Sequence, residues 1–134
     1  MRAKTVRFTL ILLLALLVSA PHCWAKSKGY LYVVGYSIAK KKVFFSSVIV
    51  QKVRDVSYSD EEYVTEVELI QKLESQFQDY MASAAYVTPS EYTVSARGAY
   101  KSKEIADKRL KVERDRYTSK GYAVSLLRSF VFSD

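Results

Sequence analysis

Residues 30–53 read YLYVVGYSIAKKKVFFSSVIVQKV, and the way this stretch folds decides how everything after it must pack. From Tyr30 onward, Tyr30, Tyr32, Val34, Tyr36 and Ile38 alternate with Leu31, Val33, Gly35 and Ser37, the period-two pattern of a strand. Val43 to Val53 is rich in β-branched and aromatic residues and reads as a second strand. Between them lies Ala39-Lys40-Lys41-Lys42, so the segment predicts an antiparallel hairpin whose tip lacks the Asn-Gly or Asp-Gly that would fix its turn type. Lys40, Lys41 and Lys42 read first as a solvated tip that discourages edge pairing, and second as an anion-contacting patch.

Downstream, Ser59 with Glu62 three residues later has the form of a capping box, and Asp60, Glu61 and Glu62 suit the positive end of a helix dipole. Tyr63, Val67, Ile70, Leu73, Phe77 and Tyr80 then recur at spacings of three and four, which predicts a long amphipathic helix starting at Ser59. Pro89 marks the following loop. Tyr92, Val94 and Ala96 alternate with Thr93, Ser95 and Arg97 as a third strand. Ser102 caps a second helix with Ile105, Ala106, Leu110, Val112 and Tyr117 on its apolar side, and Gly121 fits the left-handed position past its end. Tyr122 to Phe132 reads as the last strand.

The order β-β-α-β-α-β predicts an α+β two-layer sandwich, a four-stranded, mainly antiparallel sheet with two helices on one face and the other face free. In the last strand Arg128 falls in an otherwise apolar row of Tyr122, Val124, Leu126, Phe130 and Phe132. An arginine there either reaches outward from the sheet margin or contacts a polar ligand. With Arg128, the residues Tyr92, Tyr122 and Arg97 make up the ligand-contact candidates.

The N-terminus bears on which residues belong to the working domain. Arg2, Lys4 and Arg7 precede the apolar run FTLILLLALLV, which is shorter than the roughly 20 residues of a membrane-spanning helix. Residues 1–25 are therefore expected to be a signal peptide cleaved after Ala25, leaving a single domain over residues 26–134, exported to the periplasm or secreted, with no transmembrane segment. A lipid anchor at Cys23 is the alternative. Cleavage would remove the single Cys and the single His of the chain. Disulfides, thiolate nucleophiles, Ser-His relays and His-based metal sites would then be excluded.

The chain carries a net charge of +7, which falls to +4 without Arg2, Lys4 and Arg7 of residues 1–25 (18 Lys and Arg against 14 Asp and Glu), a mild bias suited to acidic partners or surfaces. On the second helix Lys103, Lys108, Arg109 and Lys111 are interspersed with Glu104, Asp107 and Glu113, the mixture of a solvated face and not of a nucleic-acid stripe. No spacing of carboxylates, Ser-Lys pairs or oxygen ligands marks a reaction, so neither catalytic residues nor a metal or cofactor are expected.

Gly98-Ala99-Tyr100, Ser102, Ala106, the charged helix and Gly121-Tyr122-Ala123-Val124 together resemble the strand–helix–strand repeat of SPOR domains, over residues 92–126. The resemblance implies a ferredoxin-like αβ fold, residence in the bacterial envelope and binding of peptidoglycan glycan strands on the sheet. Three readings of function are open. One is a non-catalytic binding protein of the envelope that engages a protein partner of inhibitor, immunity or assembly-factor type. A second is a SPOR-like glycan binder; a carboxylate-based hydrolase is a third, weaker reading. A homodimer through the exposed sheet is compatible with either of the first two.

Overall fold

The computed structural model describes residues 25–134. Residues 1–24 of the expected signal peptide, Cys23 among them, lie outside the described residues. Strand β1 (Lys26–Ser37) is followed by β2 (Lys42–Ser46), β3 (Ile49–Arg54), α1 (Val67–Ala84), a 3₁₀ turn at Pro89–Glu91, β4 (Thr93–Tyr100), α2 (Lys103–Ser119) and β5 (Ala123–Leu127). The fold is α+β, as the order of elements implies.

β1 is the centre of the sheet. β2 and β3 pair antiparallel with its two halves along one edge, β4 pairs antiparallel along the other, and β5 lies parallel to β2 at the outside. β2 and β3 are one strand broken by a bulge. Val34 faces Phe45 while Leu31 faces Ile49, so the broken strand carries one residue more than β1. The hydroxyl of buried Ser46 fills the gap, accepting from the Val33 amide at 2.8 Å and donating to the Ser47 carbonyl at 2.8 Å. The expected four-stranded sheet thus appears as five strand segments.

The helices lie on opposite faces, which corrects the expectation of a two-layer sandwich with one free face. On one side Leu31, Val33, Val53 and Ala99 pack with Leu73, Phe77 and Met81 of α1. On the other, Tyr32, Val34, Val43, Phe45 and Tyr100 pack with Ala106 of α2, joined by Ile105, Leu110 and Tyr117. The cause is β1 itself: both of its faces are apolar, and Leu31 to Val34 are all essentially inaccessible. A strand with no polar face needs cover on each side. At Gly35 an added Cβ would lie 2.5 Å from Met81 Sδ, so the glycine lets α1 approach the sheet.

α1 begins later than its capping signal. Ser59 Oγ does accept from the amides of Glu61 at 3.3 Å and Glu62 at 3.1 Å, but the turn does not propagate. The chain instead lies along the outer edge of β4, with the Tyr63 amide donating to Ala99 O at 2.8 Å and the Lys101 amide to Glu61 O at 2.8 Å. Thr65 Oγ1 takes the Ala99 amide at 2.9 Å, and Glu74 takes that of Ala96 at 3.2 Å. Pairing with an exposed strand edge satisfies the backbone of this segment in place of the further helical turns that the cap signals. Val67 and Val112, expected on the packed helix faces, are exposed.

The second helix ends where the sequence says. The Tyr122 amide donates to Tyr117 O and the Gly121 amide to Thr118 O, with Gly121 at φ +83°, a Schellman stop. At its start, Ser102 Oγ accepts from the Ile105 amide at 3.2 Å. Among the described residues no helix is long and apolar enough to cross a membrane.

Candidate functional site

The four ligand-contact candidates are not one surface. Strand β5 ends at Leu127, and Arg128 stands exposed in the turn that follows. The expected strand to Phe132 is thereby shortened. Phe130 and Phe132 swing to the α1 side, where Phe130 meets Phe77 at 5.2 Å and Tyr80 at 5.4 Å between ring centroids. Arg128 therefore does not interrupt an apolar row. Gln76 holds the segment after it, exchanging two hydrogen bonds with the Ser133 backbone.

Tyr92 is also a core residue. It is buried on the α1 side against Phe44, 5.6 Å between centroids, and its hydroxyl has no hydrogen-bond partner among the described residues. An orphaned buried hydroxyl costs stability. Tyr92→Phe should therefore raise the urea unfolding midpoint, by the equivalent of about 1 kcal/mol. A fall in the midpoint would show that the hydroxyl is satisfied.

The lysine tip divides similarly. Lys40 Nζ is paired with Glu91 at 2.5 Å, Lys41 occupies the left-handed position of the turn at φ +49°, and Lys42 opens β2 opposite Ala123.

Arg97 and Tyr122, in contrast, are brought together. They line a cleft of about 270 Å³ between the C-terminal half of α2 and the hairpin end of β1, with Tyr36, Ile38, Glu113, Arg116, Tyr117 and Lys120. The tyrosine rings form a continuous wall: Tyr36 to Tyr117 is 6.0 Å and Tyr117 to Tyr122 is 5.0 Å between centroids. Ile38 is 72% exposed at the rim. Arg116 and Lys120 sit one turn apart at the end of α2, where the helix dipole favours cations, and neither side chain forms an ion pair among the described residues.

Under this wall is a hydrogen-bonded group of four. Arg97 donates from Nε to Glu113 Oε1 at 3.2 Å, from Nη2 to Oε2 at 3.1 Å and from Nη1 to Ser95 Oγ at 2.7 Å. Tyr32 Oη donates to Glu113 Oε1 at 2.7 Å. Burial draws the Arg97 guanidinium downward in pKa, but the hydrogen bonds and charge of Glu113 outweigh it, so the net shift is upward. Burial, reinforced by Glu113, pushes the Tyr32 phenol far above the usual tyrosine range; burial followed by Glu62 raises Tyr100, and burial followed by Glu113 raises Tyr117.

These tyrosines bind their protons more tightly folded than unfolded. Their contribution to stability is complete below the unfolded tyrosine pKa of about 10 and is lost as pH climbs above it. The urea midpoint should accordingly drop steeply between about pH 10 and 12, and Tyr32→Phe should make the drop shallower. An unchanged slope in that variant would remove Tyr32 from the account.

Sequence reasoning found Arg97 and Tyr122 but missed Glu113, Arg116, Lys120, Tyr36 and Tyr117 as their neighbours. The available signal was the spacing of Glu113, Arg116, Tyr117 and Lys120, which share one helix face. Among the described residues no three His, Cys, Asp or Glu side chains gather as a metal ion would require. No protein-family model, curated protein or solved structure matches the chain.

Proposed function

We propose that the domain is a small non-catalytic binding protein of the envelope that engages a protein partner through the cleft between α2 and the β1 hairpin end. The observation that carries this reading is the cleft itself: tyrosines, cations without an ion pair among the described residues and an exposed isoleucine meet at one place on an otherwise covered sheet. Aromatic residues and arginine are the types enriched at protein interfaces, and exposed apolar groups beside them supply the desolvated centre. Glycan binding of the kind implied by the SPOR resemblance would need an open sheet face, whereas here a helix packs on each side.

The test is affinity capture from cells of origin with the tagged full chain, alongside Arg116→Gln/Lys120→Gln and Arg128→Ala. One partner should be recovered with the unaltered chain and with Arg128→Ala, and be lost with the double variant. Equal recovery by all three chains would mean that the cleft is not the interface. Retention on purified peptidoglycan sacculi, above a control protein, would favour the glycan reading instead.

A further inference from the structure

Resting on that binding reading, the geometry points to a specific chemistry for the partner: an extended acidic segment with carboxylates at alternate positions and apolar residues between them. Arg97 is the reason to name carboxylate. Of its five N–H groups, Nε, one of Nη2 and one of Nη1 are taken by Glu113 and Ser95, and one on each terminal nitrogen has no partner among the described residues. The guanidinium is thus held in place by its own neighbours while keeping N–H groups for a planar acceptor. Glu113 is fastened in turn by Tyr32, so it does not swing out to occupy the cleft.

The two further cations set the spacing. Arg116 and Lys120 are four residues apart on α2, about 6 Å along the axis. Alternate residues of an extended peptide are about 6.7 Å apart. A Glu-x-Glu segment lying along the helix end therefore matches both charges, and its intervening apolar side chain faces Ile38 and the tyrosine wall. Single-stranded nucleic acid is the less suited polyanion. Bases bind by stacking on open ring faces, and here the rings lie against one another, tilted by 37° for Tyr36 with Tyr117 and by 73° for Tyr117 with Tyr122.

The test uses three fluorescein-labelled probes and the full chain, read by anisotropy at about 0.1 M salt, where generic surface attraction is screened beyond about 10 Å. The probes are the peptide Glu-Leu-Glu-Leu-Glu-Leu, its glutamine counterpart and a thymidylate hexamer. The acidic peptide should bind about tenfold more tightly than the glutamine peptide, as charge-assisted pairs require. Arg116→Gln/Lys120→Gln should remove that advantage. Lys28→Gln/Lys111→Gln, which takes the same charge from exposed positions elsewhere, should leave it in place. Arg97→Lys, which keeps the charge and loses the planar fork, should weaken the acidic peptide several-fold.

Equal affinity for the two peptides, equal loss in the two double variants, or tighter binding of the thymidylate would overturn the carboxylate assignment. The two readings fail separately. If capture of a partner still depends on the cleft while the acidic peptide does not bind, the carboxylate chemistry is wrong and the interface stands; if capture is indifferent to the cleft, the interface itself falls.

Discussion

Phe77→Ala is expected to cost about 3–5 kcal/mol of folding stability, the usual range for removing a buried aromatic side chain. Phe77 is fully buried, packs edge-on against Phe130 at 5.2 Å and lies within the cluster that joins α1 to the sheet. Domains of this size have about 5–15 kcal/mol in total, so the variant should be marginal or unfolded at 37 °C. Val67→Ala, on the same helix but 69% exposed, should change stability by less than about 0.5 kcal/mol. Urea titrations of the two give the contrast directly. A loss below about 1.5 kcal/mol for Phe77→Ala would mean that α1 is not seated on that face.

Glu113→Leu should be the next most damaging change, at about 2–3 kcal/mol. It leaves the Arg97 guanidinium without its counter-charge and the Tyr32 hydroxyl without its acceptor in a site where Tyr32 is 2% exposed. The upper figures for a broken buried pair do not apply, because the Arg97 side chain keeps 34% of its surface in water and is partly screened. The triple change Tyr32→Phe, Arg97→Met, Glu113→Leu should recover most of the loss, since apolar groups of similar volume replace a buried polar group at little net cost. Failure of the triple variant to recover would place the cost in packing and not in the unpaired groups.

Local signals in the sequence held wherever nothing distant competed with them. The hairpin, the Ser102 cap, the Gly121 stop and the Leu73 and Phe77 stripe were all legible because each depends on neighbours within a few residues. Ser59 shows the opposite case. Its hydroxyl makes the capping bonds, yet the helix does not follow, because the next residues pair with a strand some 40 positions away. The placement of both helices on one face had a visible counter-signal in the opening stretch. A strand in which Leu31, Tyr32, Val33 and Val34 are all apolar has no face to leave in water.

Arg128 was misplaced for a related reason. Alternation continues on paper through the turn at Arg128 and Ser129, and only the crossing of Phe130 to the other side of the sheet ends it. Arg97 and Tyr122 were readable as separate polar and aromatic candidates, but the cleft they line depends on which face α2 covers. That is a long-range fact. Glu113 became visible as the organiser of the site only once α2 was set against β4.

The most direct measurement of the central claim is a map of amide chemical shifts in the ¹⁵N-labelled full chain as the Glu-Leu-Glu-Leu-Glu-Leu peptide is added. Binding in the cleft should produce the largest changes at Tyr36, Ile38, Arg97 and from Arg116 to Tyr122, with Lys28 and Arg128 little affected. Shifts spread evenly over the exposed lysines, or centred on the turn at Arg128, would contradict it.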